Sequence, residues 1–532
     1  MIYSKIPLSE SGLISPLVLD YLAGNDNLRT FYNQPHSLVG YEALIKEKQF
    51  DAIKRNLLIK VFNEQYKKAG ISLNSYPEID TNIKLLSDPK TYTITTGHQL
   101  CLYGGPLFLT YKVLTTIKLC SELKRAYPEN NFVPVLWLAS EDHDFEEINN
   151  IYLFGKDIKW YKNSHHMPVG RLDLDGMKED IESIEKLIGT NETGKKWINL
   201  IEDTYLKSNN LSEASIKIFT ALFREFGLLV LDPDQREFKE EFSAVMKLDI
   251  LDQNNYKVQL ETDKILTDKY KLQINAREIN FFYLHTTLGR KLIKKEGNGF
   301  HLVDSEVRFT FEEMEEEIKN FPENFSPNVN LRPLYQETIL PNLAYVGGPA
   351  EVAYWLQLKS VFDANGIQFP AVVLRSVNLL TGTNLTEKIE KTGLKVSDLI
   401  GSEEKLTQTY LKNVSNFAFQ KSFNVILNEF QILIDTSRNV NKEVSKKLLE
   451  TKLSLKDFFN QYHKDLKRSV ENSEAEQIEK IIKLRGKIYP KNTFQERIDT
   501  LLQHEVTCNR DLKMEILEQM EIFNPQLTII SI

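Results

Sequence analysis

The sequence contains little cysteine and no long apolar run. Its three cysteines, Cys101, Cys120 and Cys508, lie far apart and form no CxxC pair. A disulfide framework is therefore not expected, and a reducing cytoplasm is the natural location. The N-terminal residues lack the basic start and apolar core of a signal peptide. No apolar stretch is long enough to cross a bilayer, so we expect no membrane contact.

The sequence also lacks a basic excess. It carries 66 lysines and arginines against 74 aspartates and glutamates, which gives a net charge of −8. Binding to nucleic acid through counterion release is therefore not expected. What is present is ordinary globular material, 42% hydrophobic and 26% charged over 532 residues. That length predicts about two to four domains, or one large core with insertions.

One pattern recurs along the first two thirds of the chain: an apolar strand, a glycine-rich or acidic loop, and often an amphipathic helix. The strand segments are "TYTITTGHQ", "NFVPVLWLAS", "FREFGLLVLDPDQ", "LAYVGGP" and "IQFPAVVLRS". Buried apolar strands that alternate with helices are typical of a parallel sheet covered on both faces. The sequence therefore predicts an α/β fold with a doubly wound core.

The spacing of these strands and a change in composition predict the domain organisation. We expect a core over residues 1–385, with polar insertions near 151–213 and 250–330. Residues 386–505 are predicted to be helical, and 506–532 to return to the core. Apolar residues in the helical part approximate a heptad seam: Leu448, Leu455, Phe459, Tyr462, Leu466 and Val470. A long surface helix would explain this seam, but we favour a hairpin or coiled coil that also joins two subunits.

The tripeptide GGP occurs twice, as Gly104-Gly105-Pro106 and as Gly347-Gly348-Pro349. Each copy follows a strand-like run and precedes a helical pattern. Proline suits the first turn of a helix, and glycine lets a ligand approach the backbone closely. The helix start then offers free N–H groups to a carboxylate or a phosphate. The alternative is two ordinary glycine turns.

The segment "TTGHQ" ends the first strand with Gly97, His98 and Gln99. In open α/β sheets, ligands bind beyond the carboxyl ends of the strands. His98 could therefore act as an acid, a base or a phosphate contact, or serve only as a structural hydrogen-bonding residue.

Charge is concentrated after the next strand, in "VLWLASEDHDFEEIN". Carboxylates and imidazole suit Mg²⁺, Mn²⁺ or Zn²⁺, but the spacing matches no standard metal motif. Carboxylates also accept hydrogen bonds from amines and sugar hydroxyls. We take Asp142, His143 and Asp144 as catalytic candidates, and assign Glu146 and Glu147 to a helix start.

A second cluster of polar residues surrounds the second GGP. Arg375 follows the last strand and could hold a carboxylate bidentately. The other binding candidates in this cluster are Arg332, Gln336, Glu337, Glu351 and Tyr354.

Four ordered blocks resemble one known family, the bacillithiol biosynthesis cysteine-adding enzymes. The blocks are "TGHQLCLYGGPLFLTYK", "VPVLWLASEDHDFEEIN", "RPLYQETILPNLAYVGGPAEVAYW" and "FPAVVLRS". The resemblance implies a Rossmann-like core with connecting insertions and a C-terminal α-helical coiled-coil domain used in homodimers. It implies a ligase that adds L-cysteine to the amine of glucosaminyl malate. Family members often carry Gln in place of His98, so Gln99 is the better candidate of the two.

The resemblance does not define how the cysteine carboxylate is activated. Amide formation from a free carboxylate is uphill, so we expect ATP to supply a cysteinyl adenylate or an acyl phosphate. The GGP helix starts would hold phosphate or the malate carboxylates. Asp142 or Asp144 would orient the sugar ammonium, and His143 would shuttle its proton. A zinc ion on His98, Cys101 and His143 is a less favoured alternative.

The sequence is also compatible with two other hypotheses about function. A nucleotidyl transferase or synthetase acting on another small molecule would share the fold and the anion-binding helix starts. A non-catalytic coiled-coil scaffold would reduce the GGP loops to simple turns, and it would gain no stability from ligands.

Overall fold

The structure is a computed structural model that describes residues 2–414 and 419–532. Its strands are β1 (Ile2–Pro7), β2 (Thr91–His98), β3 (Asn131–Leu138), β4 (Asn150–Leu153), β5 (Lys156–Lys159), β6 (Leu229–Leu231), β7 (Phe281–His285), β8 (Gly289–Glu296), β9 (Gly299–Leu302), β10 (Arg308–Thr310), β11 (Phe325–Pro327), β12 (Asn342–Gly347), β13 (Ala371–Leu374), β14 (Val377–Thr381) and β15 (Gln526–Ser531).

The helices before the C-terminal region are α1 (Leu8–Ser11), α2 (Pro16–Leu22), α3 (Leu38–Glu47), α4 (Ala52–Lys68), α5 (Pro77–Leu85), α6 (Leu107–Ala126), α7 (Met177–Ile188), α8 (Glu192–Tyr205), α9 (Leu211–Leu222), α10 (Arg236–Ile250), α11 (Asn254–Thr267), α12 (Phe311–Asn320), α13 (Arg332–Ile339), α14 (Pro349–Leu356) and α15 (Lys359–Ala364). Those that follow are α16 (Thr383–Glu390), α17 (Glu403–Val414), α18 (Phe419–Arg438), α19 (Lys442–Ser473), α20 (Ala475–Arg485), α21 (Leu501–Cys508) and α22 (Lys513–Gln519).

The five predicted strand segments form one parallel sheet, in the order β13-β12-β2-β3-β6. The chain starts at the central strand β2, adds β3 and β6 on one side, and then adds β12 and β13 on the other. This confirms the doubly wound, Rossmann-like core. The direction of winding reverses between β2 and β12, and in such sheets a ligand crevice opens at that point.

Threonines in β2 tie the two strands on either side of this reversal together. The hydroxyls of Thr93 and Thr95 donate to Asn342 Oδ1 over 3.1 and 2.8 Å. Thr96 donates to the carbonyl of Val346 over 2.8 Å. Each of these threonines is fully buried, so the hydrogen bonds offset the cost of removing the hydroxyls from water. The carboxyl ends of β2 and β12 are thereby held side by side.

The two polar stretches between the core strands carry structure of their own. The first contains the hairpin of β4 and β5 followed by α7 and α8. The second contains an antiparallel sheet in the order β10-β9-β8-β7-β11. This second sheet contributes a residue to the site described below.

The chain divides into two compact units. The first comprises residues 1–379 and 495–530, and the second comprises 380–494 with 531–532. Residues 495–505, which the sequence assigned to the helical region, lie in the first unit. The reason is burial, because Glu496, Asp499, Leu501 and Leu502 are all buried there. Residues 506–530 also lie in the first unit, where β15 pairs antiparallel with β1.

In the second unit, α18 and α19 pack against each other as an antiparallel hairpin. The rings of Phe423 and Phe459 stack at 4.0 Å, and Lys452 donates to Gln431 over 2.6 Å. Most of the predicted seam is half-buried along this contact, whereas Tyr462 is exposed. The predicted hairpin is therefore confirmed, and its use between subunits stays a prediction. Within residues 2–414 and 419–532, no helix has the length and apolarity needed to span a membrane.

Candidate active site

A cavity of about 690 Å³ opens where the sheet reverses its winding. Gly97, His98 and Gln99 reach it from the end of β2, Asp142 from beyond β3, and Gly348 from the start of α14. The volume falls within the range of small-molecule sites, about 300–1,000 Å³. Loops that are distant in sequence thus meet in one crevice.

Charged side chains of both signs line this cavity. They are Arg277, Arg290, Arg332, Arg375, Arg497, Glu141, Asp142, Glu147 and Glu351. Arg277 and Arg497 are exposed, while Arg375 and Glu141 are buried. Such a lining suits a ligand that carries both an amine and acidic groups.

The carboxylate of Asp142 is held from three directions. Gln99 Nε2 donates to it over 2.8 Å, the backbone N–H of His143 over 2.8 Å, and Arg290 Nη1 over 3.2 Å. Burial alone would raise the pKa of Asp142, but the contacts with His143, Arg290 and Gln99 hold it well below its usual range. Asp142 is therefore a fixed anion at neutral pH.

Arg290 was not among the residues predicted from the sequence. It lies on β8, in the second polar stretch, and donates to Ser326 Oγ and to the carbonyl of Pro327 as well as to Asp142. Its guanidinium also sits 4.0 Å from the ring centroid of Phe282. No local sequence motif identifies this arginine, because it lies 148 positions from Asp142 in the chain.

A second anchored carboxylate, Glu351, lies at the start of α14. Lys112 Nζ approaches it to 2.6 Å and also donates to the carbonyl of Gly97 over 2.6 Å. The N–H of Gly348 donates to Glu351 over 2.7 Å. Burial would raise the pKa of Glu351, but Lys112 and this N–H hold it at about 2. Lys112, which is 1% exposed, was not predicted because it sits mid-helix without a motif.

Arg332 and Arg375 approach the cavity from α13 and from the end of β13. Arg332 Nη1 donates to Gln336 over 3.1 Å, and its guanidinium lies 5.2 Å from the centroid of the Tyr345 ring. The sequence indicated that Arg375 could hold a ligand carboxylate bidentately. The two Nη atoms of Arg375 instead donate to the carboxylate of Glu496, because this buried guanidinium needs a permanent counter-charge.

Family models match almost the whole chain. Residues 1–376 match the model described as the N-terminal Rossmann-like domain of BshC in bacillithiol biosynthesis, and residues 379–532 match its C-terminal coiled-coil domain. The chain belongs to the BshC family.

Full-length relatives agree with this assignment. A BshC protein from Flavobacterium johnsoniae is 36% identical, with 99% of each chain covered. One from Christiangramia forsetii is 33% identical over 99% of this chain and 98% of its own. One from Cytophaga hutchinsonii is 35% identical over 93% of each. All three carry the name "Putative cysteine ligase BshC".

In this BshC chain, the first GGP lies outside the cavity lining. Gly104 packs against Leu222 and Trp197, and the N–H of Leu107 at the start of α6 donates to the carbonyl of Asp499 over 2.7 Å. The N–H group at the start of α6 is therefore already bound by a carbonyl of the protein itself. Of the second GGP, Gly348 lines the cavity, whereas Gly347 turns toward Tyr345 and the Cβ of Glu351.

Four further candidates also lie outside the lining. Asp144 is exposed, and His143 lies behind Asp142, with its Nδ1 3.2 Å from Arg290. Gln336 and Glu337 of α13 are buried. They form a network of hydrogen bonds and one ion pair with Asn342 and Lys48. Glu147, which the sequence assigned to a helix start, does line the cavity. Tyr354 lines it as predicted.

His98 lies beside Cys101, with 3.5 Å between its Nδ1 and the sulfur. Burial, followed by the nearby Lys112, lowers the pKa of His98 to about 4. Burial raises the pKa of Cys101 to about 12. In the part of the chain that the structure describes, no group of three or more His, Cys, Asp or Glu side chains is placed to hold a metal ion.

We expect Gly105→Ala to destabilise the fold without changing substrate affinity. Gly105 has φ +70° and ψ −171°, and an added Cβ would lie 2.8 Å from the Cβ of Cys101. A backbone in this region costs a non-glycine residue about 1–3 kcal/mol. Thermal melts and KM measurements check this, with Gly382→Ala as control, because nothing lies within 4 Å of that position. A raised KM with an unchanged melting temperature would contradict the assignment.

His98→Gln should flatten the pH dependence of stability and leave activity at neutral pH largely intact. The folded pKa is about 4 against an ordinary value of 6.5. As the pH falls between these values, the unfolded chain gains a proton that folded His98 does not, so stability is lost. The variant removes this loss, whereas His36, whose pKa burial also lowers to about 4, keeps its own contribution. If melting temperature fell equally steeply with pH in the wild type and in His98→Gln, this explanation would be refuted.

Proposed function

We propose that this BshC chain joins the carboxyl group of L-cysteine to the amine of glucosaminyl malate. The observation that supports the proposal is the cavity at the reversal point, where anchored carboxylates face arginines in a chain whose relatives are named cysteine ligases. Glucosaminyl malate carries an amine, sugar hydroxyls and two carboxylates. A lining of mixed charge suits a ligand with these groups.

In this proposal, Asp142 orients the sugar ammonium. Its pKa is too low for it to accept the proton efficiently, so it acts as a fixed anion. Because His143 lies outside the lining, with its Nδ1 3.4 Å from Asp142 Oδ1, we propose that it receives the ammonium proton through a bridging water, which frees the nitrogen lone pair. The amine nitrogen then attacks the activated carbonyl carbon of cysteine.

ATP activates the cysteine carboxylate in this proposal. A carboxylate oxygen attacks phosphorus and expels either ADP or pyrophosphate. The amine then displaces phosphate or AMP from the acyl carbon as the C–N bond forms. The exposed Arg277 and Arg497 in the lining suit the phosphate groups, because guanidinium matches phosphate oxygens bidentately.

A direct assay tests the proposal. Purified protein is incubated with L-cysteine, glucosaminyl malate and ATP, and mass spectrometry follows the cysteinyl product together with ADP and AMP. The expected result is ATP-dependent product. Product without ATP would refute the activation step, and no product with any of these mixtures would refute the ligase proposal. Thermal stabilisation by glucosaminyl malate separates a ligand-binding enzyme from a scaffold.

We also propose that the α18–α19 hairpin joins two copies of the chain. Large apolar side chains stay exposed along it, including Val425 at 58%, Leu453 at 55% and Phe458 at 61%. Large exposed apolar side chains concentrated on one pair of helices are typical of a protein interface. Light scattering of the intact protein should give twice the mass of one chain. The Phe458→Glu variant should shift the measured mass toward that of a single chain. A monomeric wild-type protein would refute this.

A further inference from the structure

Two guanidinium nitrogens in the cavity lining have no hydrogen-bond acceptor among the described residues. Nε of Arg375 is one of them, although this side chain is only 2% exposed. Nη2 of Arg332 is the other, although the hydroxyl of Tyr354 interacts with the same guanidinium. A buried donor left without an acceptor costs about 1–3 kcal/mol, so such a pair in one cavity indicates a missing ligand.

The geometry places both arginines around the same small volume. A Cβ built on Gly348 would lie 3.8 Å from Arg375 Nε, and one built on Gly97 would lie 3.3 Å from Arg332 Nη1. Gly348 immediately precedes α14, where Pro349 has no N–H and the Gly348 N–H binds Glu351, so the first-turn N–H groups of Ala350 and Glu351 are the ones left without an intrahelical acceptor. The absence of side chains at Gly97 and Gly348 leaves the space that a ligand group would fill.

The local charge selects the kind of ligand. Lys112 is paired with Glu351, and Arg375 with Glu496, so each pair is neutral. Arg332 donates to the uncharged amide of Gln336 and keeps its positive charge. One net positive charge beside the fixed carboxylate of Glu351 suits a monoanion. A phosphate dianion would bring one more negative charge than Arg332 alone can balance.

We infer that Arg332, Arg375 Nε and the first turn of α14 form a carboxylate-binding subsite. This inference rests on the proposed function, and it assigns one part of the cavity to one chemical group of a substrate. L-Cysteine and the malate part of glucosaminyl malate both carry such a group. The same subsite would accept either, and binding measurements distinguish between them.

The test is calorimetric titration of the full chain with L-cysteine, L-malate, their methyl esters and inorganic phosphate. Arg332→Met keeps the apolar stem over Tyr345 and removes the charge. We expect it to weaken binding of the free acid about 10- to 100-fold, the effect of losing a charged hydrogen bond. The esters should bind weakly to both proteins. Arg308→Met, an exposed arginine paired with Glu296, is the matched control and should bind like the wild type.

Arg375→Lys is the second variant, because it keeps a charge for Glu496 while removing Nε. It should weaken binding of the acid about 10-fold. The ligand with the larger loss in both variants identifies the source of the carboxylate. Unchanged affinity in both variants, no binding of either acid to the wild type, or phosphate binding more tightly than both acids would overturn the subsite. Normal acid binding without ligation product would refute the proposed function and leave the subsite standing.

Discussion

Asp142→Asn is expected to lower kcat/KM for ligation by at least about 100-fold, the scale of losing a group that sets up proton transfer. Asparagine preserves the shape of the side chain and removes its charge. Gln99, Arg290 and the N–H of His143 would then surround a neutral amide, and the substrate ammonium would lose its anion. Initial rates with glucosaminyl malate as the varied substrate measure the effect.

Asp144→Asn is the matched control for this variant. Asp144 lies two positions along the chain, is exposed and does not line the cavity. It should therefore keep nearly the full rate, although the sequence alone gave both aspartates the same role. Equal losses in the two variants, or a normal rate in Asp142→Asn with an unchanged circular dichroism spectrum, would contradict the assignment.

Lys239→Met is expected to destabilise the first unit by about 3–5 kcal/mol, the cost of leaving a buried charge without its partner. Lys239 is fully buried, forms an ion pair with Glu141, and donates to the carbonyl of Phe325 over 2.6 Å. Burial already raises the pKa of Glu141 to about 7 against the lowering effect of Lys239. Without the ammonium, the Glu141 carboxylate must be neutralised or exposed for the chain to stay folded.

Urea unfolding followed by tryptophan fluorescence measures this change. All four tryptophans lie before residue 380, so the signal reports the first unit. Lys247→Met, on the same helix, breaks an exposed pair with Glu315 and should change stability by no more than about 1 kcal/mol. The double variant Lys239→Met with Glu141→Gln should recover part of the loss. Similar losses for Lys239→Met and Lys247→Met would refute the buried-pair explanation.

The sheet could be predicted because buried parallel strands leave a continuous apolar signature, as in "VPVLWL" and "PAVVL". The candidates at strand ends, such as Gln99, Asp142 and Gly348, followed from the same signature, because parallel strands bring their carboxyl ends to one edge. Hence the crevice itself could be anticipated from the sequence.

The rest of the site could not be predicted, because it depends on contacts between residues far apart in the chain. Arg290 reaches Asp142 from a separate antiparallel sheet, and Lys112 reaches Glu351 across the reversal point. The first GGP was assigned to the site because the same glycine-rich sequence can form either a structural turn or a binding loop. Only the packing of Gly104 on Leu222 and Trp197 separates the two.

A crystal structure with bound glucosaminyl malate is the decisive experiment for the proposed site. We expect the ligand in the crevice between β2 and β12, with its sugar amine within hydrogen-bonding distance of Asp142. Ligand density elsewhere on the molecule, with the crevice empty, would contradict it.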